Sequence, residues 1–411
     1  MTSFSIKDKC RISKSRQDDA FVGVVCTNGR ISITFPLGFH ISEDEKTLRR
    51  DILLLLDSIA STTGKRASRI SEPSGRFSEA GFPLQAYLWL LADYFGRGLY
   101  RESEMQHRVS DRGKISWRRT IQTQDPYLLD DEAYYLNFVT RRPRAVDDEF
   151  ITRIHEFCVY ESFQKIGWLF ACACPKKPVI KFDRRLFLFT VNDKLRKTNN
   201  DRNRQLFMNM LAVIRDLRDP DALDTFRYGT NQFEYVWEAL IDRVFGVPGK
   251  ERYYPKTVWH IRGRSSGNAA LEPDTIMLCR GNVYVLDAKY YKYGDTQSMS
   301  DLPGSSSISK QITYGEYIAE QDRFKKIHGT GYKVFNAFLM PFDAENWHSP
   351  QPFLCMGEAT ADWKSCRKEY ERIEGVLVDV KHLMAASSAS MTDIDSLASC
   401  IEEAICRGGA G

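Results

Sequence analysis

Three charged residues, Asp274, Asp287 and Lys289, stand at the ends of two strongly apolar segments. These segments belong to the stretch "LEPDTIMLCRGNVYVLDAKYYK", which runs from 271 to 292. Strand interiors normally exclude charge, because an unpaired buried carboxylate or ammonium is strongly destabilising. A group of two acids and one lysine in this position therefore needs a chemical reason.

A tight turn at Arg280-Gly281 would bring the three charges together. In a hairpin centred on this turn, Asp274 lies directly opposite Asp287, with Cβ atoms about 4.5–5.5 Å apart. Lys289 then falls on the same face as Asp287, because side chains alternate with a period of two along a strand. A turn one residue later, at Gly281-Asn282, would shift the register and loosen this geometry.

Two adjacent carboxylates repel each other unless they share a proton or bind a cation. The pair therefore predicts either a proton-sharing dyad or a hard-metal site, for which Mg²⁺ is suitable because it prefers oxygen ligands and keeps several waters. Beside such a metal, Lys289 can hold and help deprotonate a water and stabilise charge on a phosphate. The residues thus predict phosphodiester hydrolysis, and a surface salt bridge at strand ends is the structural alternative.

The surrounding segments predict the element order α-β-β-β-α-β. A helical pattern over 232–246 is followed by three β-rich segments, then by a helical pattern over 309–324 and a last strand. The β-rich segments are "TVWHI", "PDTIML" and "VYVLDAKYY", and the last strand is "YKVFNAFLMPF".

The upstream half predicts a β-unit followed mainly by helices. Asn28-Gly29 separates "FVGVVCT" from "RISITFPLGF", which is a strong hairpin signal. Helical patterns follow over 43–61 and 84–100, then a strand pair around "SWRRTIQ", then helices over 147–175 and 200–218.

We therefore expect an α/β protein, α+β overall, with four segments. An N-terminal β/α domain over 1–120 precedes a mainly helical middle region over 121–220. A catalytic domain follows over 221–385, and a tail with a short helix covers 386–411.

The composition is that of a globular protein, with 43% hydrophobic and 27% charged residues. No apolar run reaches the length of a membrane span, and the N-terminus lacks the apolar core of a signal peptide. We therefore expect a cytoplasmic protein with no membrane partner. The ten cysteines form no C-x-x-C pair, so neither a zinc site nor a disulfide framework is predicted.

The charge of +4 is too small to indicate nucleic-acid binding by itself. Local basic clusters are more informative, and together they would suit a surface that follows phosphates. They cover 111–119, 141–144, 177–185 and 193–204. There is no G-x-x-x-x-G-K-[ST] loop, so this chain is not expected to bind a nucleotide by that device.

"PDTIM" and "VLDAKYY" resemble the signature of PD-(D/E)XK nucleases, and more narrowly the chain resembles the LlaJI family of restriction endonucleases. "FNAFLMPF", "GKISWRRTI" and "ITRIHEFCVYES" are also similar to that family. "FVGVVCTNGRISITFPLGF" resembles the N-terminal β-unit of McrC, the nuclease subunit of modification-dependent restriction systems. The resemblance implies a C-terminal PD-(D/E)XK domain that cuts double-stranded DNA with Mg²⁺, or with Mn²⁺ as a substitute. It also implies a separate McrB-like AAA+ GTPase, which we expect to dock on residues 1 to about 120.

The resemblance also implies roles for individual residues. Asp274 and Asp287 would be metal ligands, the Ala288 carbonyl a further ligand, and Lys289 the catalytic lysine. An acid on the preceding helix commonly completes the site. Glu234 and Glu238 are both candidates because they stand at i and i+4 on one helical face; we favour Glu238 as the catalytic acid and keep Glu234 as the alternative metal ligand.

A helix after the third strand often carries Gln and Tyr that face the DNA in related nucleases. Lys310, Gln311 and Tyr314 are the corresponding candidates here, although the spacing is Q-x-x-Y where the wider group more often has Q-x-x-x-Y.

Other functions stay open at this level. One is a non-catalytic adaptor that stimulates a partner GTPase, and another is a repair or RNA-processing nuclease on the same fold. A duplex break needs two active sites or two events, which leaves open a self-dimer through the nuclease domain.

Overall fold

A computed structural model describes residues 5–14, 20–27, 29–66, 82–129, 132–146, 150–170, 172–217, 225–267 and 270–408. Contacts between Cα atoms divide the chain into two compact units. Unit 1 contains the described residues of 1–80 and 223–411, and unit 2 contains those of 81–222.

Unit 1 begins with the predicted β-unit and a long helix. The elements are β1 (Cys10–Ile12), β2 (Val22–Thr27), β3 (Arg30–Phe35) and α1 (Glu45–Arg66). β2 and β3 pair antiparallel, and β1 adds to β3 in parallel. The predicted hairpin and helix are confirmed, while Asn28 of the predicted turn lies outside the described residues.

Unit 2 combines helices with two small sheets. Its elements are α2 (Leu84–Arg97), β4 (Glu102–Val109), β5 (Lys114–Ile115), α3 (Trp117–Thr123), β6 (Tyr127–Leu129), β7 (Glu132–Tyr134), β8 (Val139–Val146), α4 (Phe150–Ile166), α5 (Arg184–Lys197) and α6 (Asp201–Asp216). The strand order β4-β8-β5 forms one sheet, and β6 pairs with β7 in another. The helices α2, α4 and α6 pack against one another.

In unit 2, one predicted strand pair is wrong and one helix is absent from the predictions. The segment "SWRRTIQ" forms α3 and not a strand pair, because Thr120 turns inward and its Oγ1 accepts a hydrogen bond from Val139 N at 2.9 Å. The helix α5 was missed because its many charged residues obscured the i, i+4 pair of buried side chains, Phe187 and Val191. Asp183 caps its N-terminus by accepting from Leu186 N at 3.0 Å.

The remaining elements return to unit 1. They are β9 (Thr225–Thr230), α7 (Phe233–Phe245), β10 (Val258–Ile261), β11 (Arg264–Gly267), β12 (Thr275–Cys279), β13 (Asn282–Ala288), α8 (Tyr293–Thr296), α9 (Ser305–Glu320), α10 (Asp322–His328), β14 (Val334–Phe342), β15 (Phe353–Ala359), β16 (Ile373–Asp379), α11 (Val380–Ala385) and α12 (Met391–Gly408).

β9 links the two distant parts of unit 1 by pairing antiparallel with β2, which gives the sheet order β1-β3-β2-β9. Gly23 lies opposite Gly229 in this pair, and a Cβ on either residue would collide with the backbone of the other strand. The N-terminal β-unit therefore shares a compact unit with the C-terminal half. The division into four functional segments stays a prediction.

The main sheet has the order β12-β13-β14-β16-β15. β14 is the central strand; it runs parallel to β13 and β16, and every residue along it is buried, as expected for a strand covered on both faces. On one face, Tyr314 and Ile318 of α9 pack near Val283 and Val285. On the other face, Tyr284 donates a hydrogen bond from its hydroxyl to Glu402 of α12.

The segment "TVWHI" does not belong to this sheet. It forms β10, which pairs antiparallel with β11, and every residue of the two strands is exposed. Arg262 and Gly263 reverse the chain directly after β10, with φ values of 48° and 74°. The prediction of three consecutive core strands is therefore wrong, because β propensity identified the strand but not its pairing partner. No helix in the described part of the chain is both long and apolar enough to cross a membrane.

Candidate active site

The hairpin of β12 and β13 has the register that the sequence predicts. Thr275 pairs with Leu286, and Cys279 pairs with Asn282. Arg280 and Gly281 form the two-residue turn with φ values of 50° and 81°, which matches the type I′ geometry favoured in tight hairpins. The next positions outward are Asp274 and Asp287, and these two residues therefore face each other.

The two acids and the lysine form one half-buried cluster. The carboxyl groups of Asp274 and Asp287 are in hydrogen-bond contact. Lys289 Nζ forms an ion pair with Asp287 Oδ2, and the side chains of the two residues are only 19% and 15% exposed. Asp274 Oδ2 also accepts a hydrogen bond from Ala288 N at 2.9 Å, which fixes this carboxyl group against the end of β13.

The electrostatics of the cluster follow from its burial and its charges. Burial raises the pKa of Asp274 well above its ordinary value, the charges of Asp287 and Glu238 raise it further, and the Ala288 N–H group opposes the change. Burial alone would lower the pKa of Lys289, but the charges of Asp287 and Asp274 outweigh it and raise the pKa. Asp274 therefore favours its protonated form more than an ordinary aspartate does, while Lys289 stays charged.

The helix α7 places its two acids in different surroundings. Glu238 is half-buried, and it is close enough to Asp274 for its charge to raise the pKa of that residue. Glu234 is exposed, and its charge acts on Tyr290. The structure therefore brings Glu238, rather than Glu234, beside the acid pair.

One carbonyl group connects α7 to the strand that carries the acids. Trp237 Nε1 donates to Leu339 O at 3.2 Å, and Lys289 N donates to the same oxygen at 2.9 Å. Trp237 is fully buried, so this contact fixes the adjacent Glu238 relative to the end of β13.

The three residues predicted to contact DNA lie on α9, but they differ in exposure. Lys310 is exposed. Gln311 is 1% exposed, and its Nε2 donates to Val285 O at 2.7 Å. Tyr314 is buried; burial raises its pKa to about 12, with smaller contributions from Asp287 and Asp274. Gln311 and Tyr314 therefore have structural contacts in this state, and the DNA-binding roles of all three residues stay predictions.

The oxygen donors of the cluster suit a metal ion that needs few protein ligands. In the described ranges, no group of three or more His, Cys, Asp or Glu side chains is arranged to hold a metal. Mg²⁺ needs fewer protein ligands, because one or two carboxylates and several waters can complete its octahedron. Asp274 and Asp287 fit that requirement, since a divalent cation would relieve the repulsion between two facing carboxylates.

Sequence analysis missed two residues that hold this cluster in place. Lys250 Nζ forms an ion pair with Asp242 Oδ1 at 2.6 Å and donates a hydrogen bond to the backbone oxygen of Asp274. Asp242 follows Glu238 by four residues, so the spacing along α7 could have identified it as a residue on the same face. No local pattern identifies Lys250, because its partners are distant in sequence.

A sequence model of the LlaJI restriction endonuclease family matches residues 21–353. The chain therefore belongs to the LlaJI restriction endonuclease family. The matched span includes Asp274, Asp287 and Lys289, and it ends before β16 begins. No curated protein matches the chain.

Two solved structures show similarity to the chain. The first is the refined half-complex from a tetradecameric assembly of Thermococcus gammatolerans McrB AAA+ hexamers with bound McrC. Its matched chain is 15% identical, with 93% of this chain and 83% of that chain covered and a TM-score of 0.38. The second is the Thermococcus gammatolerans McrBC complex, which is 16% identical over 57% of this chain and 56% of that chain, with a TM-score of 0.13.

Proposed function

We propose that the chain is a Mg²⁺-dependent DNA endonuclease of the PD-(D/E)XK type and the cleaving subunit of a restriction system. The observation that carries the proposal is the cluster of Asp274, Asp287 and Lys289, in which two acids face each other across a hairpin beside a charged lysine. Membership of a restriction endonuclease family supports the same activity.

The residues of the cluster would divide the chemistry between them. Asp274 and Asp287 would hold Mg²⁺, with the Ala288 carbonyl as a further ligand, and the ion when bound supplies Lewis-acid stabilisation of the scissile phosphate. Lys289, held by Asp287, orients the attacking water and stabilises negative charge that develops on the phosphate. Glu238 stands beside the pair as the carboxylate that can accept a proton from that water.

A comparison of substrates tests the proposal. The purified chain would be incubated with duplex DNA, single-stranded DNA or RNA in the presence of Mg²⁺ or a chelator, with and without an AAA+ GTPase partner and GTP. We expect cleavage of duplex DNA that the chelator abolishes. Cleavage confined to RNA or single strands would instead indicate a repair or RNA-processing nuclease. Stimulation of GTP hydrolysis without cleavage of any substrate would indicate an adaptor.

The proposal includes a protein partner that docks on unit 2. In one short stretch, Trp117 and Ile121 of α3 and all of Tyr127–Leu129 of β6 are exposed, with Leu128 at 71%. Every residue of β7 is exposed as well. Exposed apolar groups of this kind commonly mark protein interfaces, which supports docking of the AAA+ GTPase here. The stretch overlaps the end of the predicted docking segment, 1 to about 120, and extends beyond it.

A further inference from the structure

We infer that Lys250 is a positioning residue for the acid pair, which it holds by clamping the backbone of Asp274 to the helix α7. The inference rests on the proposed function, because it concerns the same site. Lys250 itself touches neither of the facing carboxyl groups in the described contacts; it acts through Asp242 and through the carbonyl group of Asp274.

Two hydrogen bonds orient Asp274. Its backbone oxygen accepts a hydrogen bond from Lys250 Nζ, while its Oδ2 accepts one from Ala288 N at 2.9 Å. Two anchors therefore act on one residue, one at its main chain and one at its carboxyl group. Asp274 precedes the first ladder pair of β12, so the strand pairing alone does not fix it.

The same lysine is linked to α7. Asp242 Oδ1 accepts from Lys250 Nζ at 2.6 Å and from Thr275 Oγ1 at 3.2 Å. Directly after the helix, Val247 N donates to Ile276 O at 2.9 Å. The C-terminal end of α7 is thus joined to the start of β12 by three contacts. Because Glu238 lies one helical turn before Asp242, these contacts also set the position of Glu238 relative to Asp274.

In the clamp, the lysine is largely shielded from water and its carboxylate partner is partly exposed. The Lys250 side chain is 13% exposed and that of Asp242 is 37% exposed. A second ion pair in unit 1, between Lys364 and Glu316, has nearly the same separation of 2.7 Å and similar exposures of 20% and 39%. The Lys364 pair lacks a contact with the acid cluster among its described contacts, so it provides a matched control.

The experiment compares Lys250→Met, Lys250→Arg, Lys364→Met and Asp287→Asn in the full-length chain. Mn²⁺ binding without DNA is measured by calorimetry, and duplex cleavage is measured at saturating Mg²⁺. Residues that orient metal ligands typically change metal affinity or activity by about 10- to 100-fold. We expect Lys250→Met to weaken Mn²⁺ binding and slow cleavage by about that factor. Lys250→Arg should restore most of both, and Lys364→Met should match the unmodified chain.

Each outcome bears on a different claim. If Lys250→Met binds Mn²⁺ and cleaves like Lys364→Met while Asp287→Asn is inactive, the positioning inference is overturned and the proposed function stands. If Asp287→Asn still cleaves, the proposed function fails first. If Lys250→Met does not fold, Asp242→Leu decides, because it removes the carboxylate that holds Lys250 Nζ beside the Asp274 carbonyl group; unchanged Mn²⁺ affinity in that variant overturns the inference.

Discussion

At the scale of single residues, the site depends on which acids lie near the Asp274–Asp287 pair. Glu238 and Glu234 occupy one face of α7, and their spacing alone does not distinguish them. Their surroundings do distinguish them. Glu238 is half-buried, and its charge raises the pKa of Asp274. Glu234 is exposed, and its charge raises the pKa of Tyr290 instead. A carboxylate can take part in proton transfer only within reach of the reacting water.

This difference gives a prediction with an internal control. Replacement of Glu238 by Gln should slow Mg²⁺-dependent cleavage by about 10²-fold or more, because a positioned acid or base typically contributes that much. Replacement of Glu234 by Gln should leave the rate unchanged. Single-turnover cleavage rates of the two variants, at equal folded fraction, provide the measurement. The assignment would be wrong if Glu234→Gln were the slower enzyme.

Sequence reasoning succeeded for these residues to the extent that their geometry is local. The positions of Asp274, Asp287 and Lys289 follow from the period of two along a strand and from a two-residue turn at Arg280-Gly281. The roles of Gln311 and Lys250 could not be read in the same way. Gln311 donates a hydrogen bond to Val285 O, and Lys250 donates one to Asp274 O. Both hydrogen bonds depend on packing between elements that are distant in sequence.

At the scale of elements, β15 and β16 place two acids opposite each other on the main sheet. Glu358 pairs with Glu374 across these strands. Arg372 bonds Glu358, while Glu374 is buried. Burial and, to a smaller extent, the charge of Glu358 raise the pKa of Glu374 to about 7, although the charge of Arg372 opposes the change. The folded protein therefore holds a proton on Glu374 at pH values where the unfolded chain does not.

This raised pKa makes the folded protein less stable as the pH rises. The pKa of Glu374 is about 7 in the folded protein, above the ordinary glutamate value of 4.5. The free energy of unfolding therefore falls as the pH rises from about 4.5 through about 7. Glu374→Gln removes this loss, so above neutral pH it should increase the free energy of unfolding by about 1–3 kcal/mol. The gain should disappear in acid. Urea unfolding curves across this pH range check the prediction, and parallel curves for the variant and the unmodified chain would contradict it.

Elements also show where sequence patterns fail. The β10 segment was correctly identified as a strand, but its pairing with β11 outside the main sheet was not foreseen. The strand tendency of a short apolar segment reflects its side chains, whereas its sheet depends on the partners that the rest of the chain offers. β14 is easier to predict because a long strand whose residues are apolar apart from Asn336 is expected to be buried on both faces.

At the scale of the whole molecule, unit 1 is formed by two separate parts of the chain, 1–80 and 223–411, and unit 2 by the residues between them. The two parts of unit 1 are joined by β9, whose pairing with β2 requires close backbone approach at Gly23 and Gly229. Nothing local in the sequence predicts this pairing across about half of the chain. This pairing places the N-terminal β-unit in the same compact unit as the acid cluster.

The exposed apolar stretch of unit 2 allows the proposed binding of the AAA+ partner to be tested. Leu128→Asp places a charge on the exposed apolar stretch of β6, and it should weaken binding of the AAA+ partner by more than about 10-fold, since a buried unpaired charge at an interface is strongly unfavourable. Ile327→Asp on α10, another exposed apolar position, should have no effect. Titration of the labelled partner and GTPase stimulation give the readouts. Equal binding by the two variants would contradict docking at β6.

The most direct test of the central claim is the rate of Mg²⁺-dependent duplex cleavage by Asp287→Asn, measured beside the unmodified chain with the partner and GTP present. The acid pair and lysine are proposed to perform the hydrolysis, so the rate should fall by at least about 10³-fold in a variant that is still folded at the assay temperature. Cleavage at the unmodified rate by a folded Asp287→Asn protein would contradict the account.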